Sequence, residues 1–121
     1  MDVTPVISEG KKVIKSYGSG LFKVNEDEYN SSIIISSDNV IKIAAKSLED
    51  LTQDSFSDFP EDIEILLIGG GENHPPIRND LIDFFRKKDI NIEFMGTGAA
   101  CRTYNVLLSE ERSVAAALII I

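Results

Sequence analysis

Two glycine-bearing turns carry the residues of this sequence that could do chemistry. Residues 63–68 form an apolar run that ends in Gly69-Gly70-Gly71, with His74 just beyond it. Residues 91–95 run into Gly96-Thr97-Gly98, with Cys101 and Arg102 close behind. A strand that empties through a glycine turn into a helix offers free backbone N–H groups, and the positive end of the helix dipole, to an anion. Arg78 and Arg102, early in the two following helices, would add formal charge. His74 and Cys101 are the only histidine and the only cysteine. A helix N-terminus lowers a thiol pKa, so the two would make a base–nucleophile pair if they faced one crevice.

Each feature also has a purely structural reading. Glycines let a strand end turn sharply, arginines make salt bridges, and Ala99-Ala100-Cys101 is a small-residue surface suited to close helix packing. The glycine run has neither the G-x-G-x-x-G spacing of a dinucleotide site nor the Gly-Lys-Ser/Thr ending of a P-loop, so no nucleotide cofactor is expected. One His and one Cys cannot build a structural zinc site, so no metal is expected. Arg102-Thr103-Tyr104-Asn105 is polar inside an otherwise apolar helix. It is either a patch for a partner or ligand, or a satisfied network that pins the helix to the sheet. The acids of residues 49–64 read as a solvated face, because no spacing isolates one pair for acid–base catalysis.

The elements that must position these residues follow from periodicity. Residues 13–17 and 21–24 read as strands about the turn Gly18-Ser19-Gly20, with residues 25–30 as a polar turn. Residues 31–36 and 40–43 read as a hairpin closed by Ser37-Asp38-Asn39. Ser47 opens a short, weak helix to Leu51 with a capping-box-like acid three places on, and an acidic segment follows until Pro60. The run 63–68 reads as a strand covered on both faces. Pro75-Pro76 is expected to open a helix to about Lys88, with Ile77, Leu81, Phe84 and Phe85 as its apolar stripe and Arg86, Lys87 and Lys88 at its C-terminal end. Residues 91–95 form a strand, Thr97 is a candidate N-cap of a helix to Ser109, and residues 114–121 form the last strand. This alternation predicts a β-α-β-α-β half with parallel pairing, and ligands in such units bind beyond the carboxyl ends of the strands.

The chain has 121 residues, 43% of them apolar, which predicts one domain over 1–121 with a sheet-centred core. A net charge of −8 with scattered bases excludes a phosphate-tracking nucleic-acid surface and disfavours an anionic membrane. A single cysteine, no signal-like N-terminus and no apolar run of spanning length predict a cytoplasmic protein without membrane insertion.

The segment Ile65-Leu66-Leu67-Ile68-Gly69-Gly70-Gly71 and the block Met-x-Thr-x-Ala-Ala-Cys-Arg-Thr-Tyr-Asn-x-Leu at 95–107 resemble one family across nearly the whole chain. This is the domain-of-unknown-function family that includes the mitochondrial complex I assembly factor three and the adipogenesis-associated domain protein. Ser31 stands at the Gly of the family's "G-S-I-L-V" strand, Glu111 stands where the family usually has Gly, and Gly96 replaces the usual Asp or Ser. The resemblance implies a three-layer α/β domain with a mixed central sheet, helices on its faces and an added antiparallel β-hairpin layer. It also implies assembly work through protein partners rather than an established reaction, and the lack of a presequence suits a prokaryotic member.

Two functions therefore stand against each other. One is a non-catalytic protein-interaction or assembly module that binds through the surface around Arg78, Arg102 and Asn105. The other is a small-molecule or anion-binding domain, with latent Cys/His hydrolysis, that uses the crevice formed by Gly69, Gly71, His74, Arg78, Thr97, Cys101, Arg102 and Asn105. No cofactor is expected for either, and the sequence is silent on oligomeric state.

Overall fold

A computed structural model describes Ile7 and residues 9–121. Two sheets and two helices account for its regular structure. Strands β1 (Ile14–Gly18), β2 (Leu21–Val24) and β3 (Asp27–Tyr29) form an antiparallel sheet in that order. Strands β4 (Ser32–Ser36), β5 (Val40–Ile43), β6 (Ile65–Gly69), β7 (Asn91–Met95) and β8 (Val114–Leu118) form a mixed five-stranded sheet ordered β5-β4-β8-β6-β7. β4 pairs antiparallel with β5 and β8, while β6 pairs parallel with β7 and β8. The mixed sheet and the parallel half are as expected. The third strand is not, since residues 25–30 read as a polar turn. Asn25 supplies the left-handed residue, φ 52°, that lets the chain reverse tightly enough for 27–29 to pair with β2.

Alternate residues of the central strands face two cores, as the period of a strand requires. One core packs Ile33, Ile35, Ile65, Leu67, Ala116 and Leu118 against helix α2 (Thr97–Ser109) and against Ile14, Phe22 and Val24 of the small sheet. The other packs Ile34, Leu66, Ile68, Ala115 and Ala117 against helix α1 (Asn79–Arg86) and two 3-10 turns, Leu48–Asp50 and Gln53–Phe56. The helices therefore lie on opposite faces of the five-stranded sheet. Both 3-10 turns lie where one short helix and an acidic surface segment were expected. Leu48, Leu51 and Phe56 are buried, so that stretch is half core.

Helix α1 begins at Asn79 rather than at the proline pair. A residue that precedes proline is disfavoured in the helical region, which works against a helix through His74 and Pro75, and the N-cap Arg78 is extended (φ −102°, ψ 95°). Pro75 is buried against Gly70, where a Cβ would come within 2.6 Å of the ring. The apolar stripe thus loses Ile77, which is 64% exposed, and keeps Leu81 and Phe85.

Helix α2 ends in a Schellman motif: Arg112 N–H donates to Leu107 O (3.0 Å) and Glu111 N–H to Leu108 O (3.0 Å). Glu111 holds the left-handed position, φ 61°, which explains why relatives in the resembling family place Gly there. Glu111→Gly is therefore expected to raise the unfolding free energy by about 1 kcal/mol. Urea denaturation of the two proteins checks this.

Candidate functional site

The two glycine turns do meet at one rim of the sheet, beyond the carboxyl ends of β6 and β7. They are joined directly. Gly70 N–H donates to Met95 O (2.9 Å) and Thr97 N–H donates to Gly71 O (2.7 Å). Gly71, at φ 122°, makes a turn that only glycine adopts readily. Thr97 is the hub. Its hydroxyl accepts from Gly71 N–H (3.0 Å) and lies 3.1 Å from Gly69 O and 2.8 Å from Ile119 O, so one side chain ties together the ends of β6 and β8 and the start of α2. Thr97 is the first residue of the helix, and Gly96 takes the N-cap place expected for it. A Cβ on Gly69 would fall within 3.0 Å of Thr97 and Leu118, so packed groups fill the space between the turns. Thr97→Val, which keeps the shape and removes the hydroxyl, is expected to lose about 1–2 kcal/mol of stability by thermal melting.

The remaining residues do not converge on one crevice. Cys101 is 0% exposed and packs in the core between α2 and the small sheet. Burial pushes its thiol up to about 12, against which the Arg102 charge is a smaller, opposite influence. A thiol held protonated in the core is no nucleophile at neutral pH. His74 is exposed on the rim loop, with Nδ1 3.1 Å from Pro75 O. Arg78 is on the α1 side, where its guanidinium donates to Leu48 O (2.9 Å) and Leu51 O (3.2 Å) and forks onto Asp80 (2.8 and 2.6 Å). It clamps the first 3-10 turn to the start of α1. Arg102 is exposed on the α2 side, where it donates to the Tyr17 hydroxyl.

Asn105 is 1% exposed and so lies beneath any docking patch. Its Oδ1 accepts from Ile14 N–H (3.1 Å) and its Nδ2 donates to Ile14 O (2.8 Å), the pattern a neighbouring strand would supply. At the preceding residue, the Tyr104 hydroxyl donates to Lys12 O (2.8 Å). Of the two readings of the Arg102–Asn105 block, the structure shows the network, and it pins α2 to the small sheet rather than to the central one. Tyr17 was not singled out by sequence reasoning. Its ring lies over Gly98, where a Cβ would approach it within 3.0 Å, and no local pattern signals a contact between residues so far apart in the chain.

Burial raises the Cys101 thiol from an ordinary 9.0 to about 12 and raises the Tyr104 phenol in the same direction, with the Asp38 charge a lesser cause. The neutral forms are favoured by folding, so their contribution is fully present below the unfolded-state pKa and is lost as pH rises towards the folded one. Unfolding free energy is expected to hold level to about pH 9 and then to fall by up to about 1.4 kcal/mol per pH unit for each group. Cys101→Ala should flatten the curve and leave the part due to Tyr104, as urea titrations across this range will read. Native protein should also leave Ellman's reagent unreacted until it unfolds.

Among the described residues no group of three or more His, Cys, Asp and Glu side chains is placed to hold a metal ion, and no helix is long and apolar enough to cross a membrane. A family model described as "Protein of unknown function (DUF498/DUF598)" matches residues 14–119. The chain is 35% identical over 113 residues to NADH dehydrogenase [ubiquinone] 1 alpha subcomplex assembly factor 3 of Drosophila melanogaster, covering 88% of this chain and 58% of that protein. The chain thus spans less than two thirds of that relative. It is 33% identical over 111 residues to a 13 kDa major membrane protein of Francisella tularensis, covering 87% of this chain and 88% of the other. Among solved structures, one described as an outer membrane protein from Bartonella henselae superposes with a TM-score of 0.83 at 36% identity, over 92% of this chain and 96% of that one. With the family model covering both helices and all eight strands, this chain belongs to the DUF498/DUF598 family.

Proposed function

We propose that this domain is a non-catalytic protein-interaction module of the assembly-factor kind, acting as a single unit in the cytoplasm. One observation carries the reading. Most of the side chains that looked reactive hold the fold: Thr97 joins strand ends, Asn105 and Tyr104 bind the small sheet, and Cys101, the nucleophile His74 would need, is core. What remains for function is surface. The similarity to an assembly factor over 88% of this chain favours a protein as the thing that surface meets. We assign the docking face to the rim loop, where Ile77 is 64% exposed beside exposed His74. An apolar side chain held out by two prolines is ordered before binding, which lowers the entropy lost on association.

The test uses the tagged chain as bait for purified NADH dehydrogenase subunits. One or more subunits should be retained at physiological salt, and Ile77→Asp should reduce retention at least tenfold with an unchanged melting temperature. Equal retention by the variant would remove the rim loop from the reading. No retention of any subunit would remove the assembly role.

A further inference from the structure

On the α1 face of the sheet, away from the rim, a cleft of about 250 Å³ opens between the second 3-10 turn and the C-terminal end of α1. Four of the six phenylalanines of the sequence, Phe56, Phe59, Phe84 and Phe85, line it. They meet edge to face, with centroids 4.9 Å apart for Phe56–Phe85, 5.0 Å for Phe84–Phe85 and 5.6 Å for Phe59–Phe85. Phe56 and Phe85 are buried, while Phe59 and Phe84 are half-buried and leave ring surface to the cleft. Rings interlocked in this way hold the cleft open and shaped without an occupant.

Among the described residues only two charged side chains line it, Glu61 and Lys88, one of each sign. The Lys88 ammonium lies 5.2 Å from the centre of the Phe84 ring. The ion pairs among the described residues are Arg78–Asp80, Arg86–Asp83 and Arg112–Glu64, so Glu61 and Lys88 pair neither with each other nor with another described residue. The chemical complement of such a cleft is a ring that carries one carboxylate and one ammonium. The ring would lie against the phenylalanines, the carboxylate against Lys88 and the ammonium against Glu61. Both side chains are exposed and hydrated, so their charges orient such an occupant and favour it over a purely apolar or singly charged one. The volume falls below the roughly 300–1,000 Å³ of drug-sized pockets, which limits the occupant to a single small ring with its charged groups.

We infer that this cleft is a binding site for a free aromatic α-amino acid. It is separate from the rim loop and does not depend on the interaction reading.

Titration of the 15N-labelled chain with L-phenylalanine, followed by amide chemical shifts, tests it. Saturable shifts are expected at residues 56–61 and 84–90, with a dissociation constant on the order of 1 mM. Phenylpropionate and phenethylamine, which each keep one charge, should bind about tenfold more weakly, and glycine should not bind. Lys88→Met and Glu61→Gln, both at exposed positions, should each weaken L-phenylalanine about tenfold, and Glu61→Gln should leave phenylpropionate unchanged. No saturation by about 20 mM, shifts centred elsewhere, or equal binding of the singly charged analogues would overturn the inference. So would cleft shifts that follow protein concentration and ignore the amino acid, because a second copy of the chain would then be the occupant.

Discussion

Asn105→Leu is expected to be the most damaging conservative change in this protein, with a loss of about 3 kcal/mol of unfolding free energy and a fall in Tm of roughly 10–15 °C. Leu keeps the branched outline and adds methyl bulk, so no cavity arises, and the loss combines the missing polar pair with some crowding in the core. Both backbone groups of Ile14 face α2 in a buried place, and the Asn105 amide satisfies both, at 3.1 and 2.8 Å. Removing it strands a donor and an acceptor together, and each stranded group costs about 1–3 kcal/mol. The small sheet should loosen first, since Asn105 and Tyr104 are its buried polar ties to α2. Hydrogen exchange should therefore rise in β1–β3 before it rises in β6 and β8. Asn105→Asp gives a sharper check. One carboxylate oxygen still accepts from Ile14 N–H, but the other now faces Ile14 O. Protonation turns that repulsion into a donated hydrogen bond, so the folded-state pKa rises above the unfolded value of about 3.9. The stability of this variant should be greatest in acid and should decline as pH rises, the opposite of ordinary acid denaturation. A variant as stable at pH 7 as at pH 4 would show that Ile14 finds other partners.

Gly69→Ala is expected to lose about 2–3 kcal/mol, although the added group is one methyl and the backbone there is ordinary strand. The new carbon would fall 2.9 Å from Thr97 Cα, 3.0 Å from Ala100 Cβ and 3.0 Å from Leu118 Cδ2. The leucine can turn aside, but the helix backbone cannot, so the first turn of α2 must lift from β6. That lift strains the Thr97 hydroxyl bonds to the ends of β6 and β8. Ala100→Gly would relieve one of the three contacts and should restore only part of the loss, because the Thr97 contact persists. Gly96→Ala provides the comparison. Its nearest neighbour is a carbonyl oxygen at 3.3 Å on a loop that can give by a few tenths of an ångström, so the loss should stay below about 1 kcal/mol. Thermal melts of the four proteins separate crowding at a rigid helix from crowding at a loop.

The turn glycines were legible for a local reason. An apolar run that stops at Gly69-Gly70-Gly71 or at Gly96-Thr97-Gly98 marks a strand end in any context. The helix after the second turn was legible too, since its apolar stripe is written in neighbouring residues. The first helix was misjudged by four positions because proline tolerance at a first turn was weighed above the restriction proline places on the residue before it. Thr97 was read as a cap because a hydroxyl at a helix start usually plays that part. Here two carbonyls from β6 and β8, distant in sequence, hold it instead.

The phenylalanine cleft lay outside any local reading. Phe56 and Phe59 stand in a segment whose acids suggested surface, and Phe84 and Phe85 looked like an ordinary helix stripe. Only the crossing of α1 over the second 3-10 turn sets the four rings together with Glu61 and Lys88.

By itself the sequence determined the strands of the central sheet, the parallel half and the two glycine turns, because periodicity and backbone preference act between near neighbours. Tertiary structure alone decided what the polar residues do. Whether Asn105 or Cys101 meets water, a ligand or a β-strand depends on which distant backbone packs over it, and burial is what turns an amide into a tie and a thiol into core.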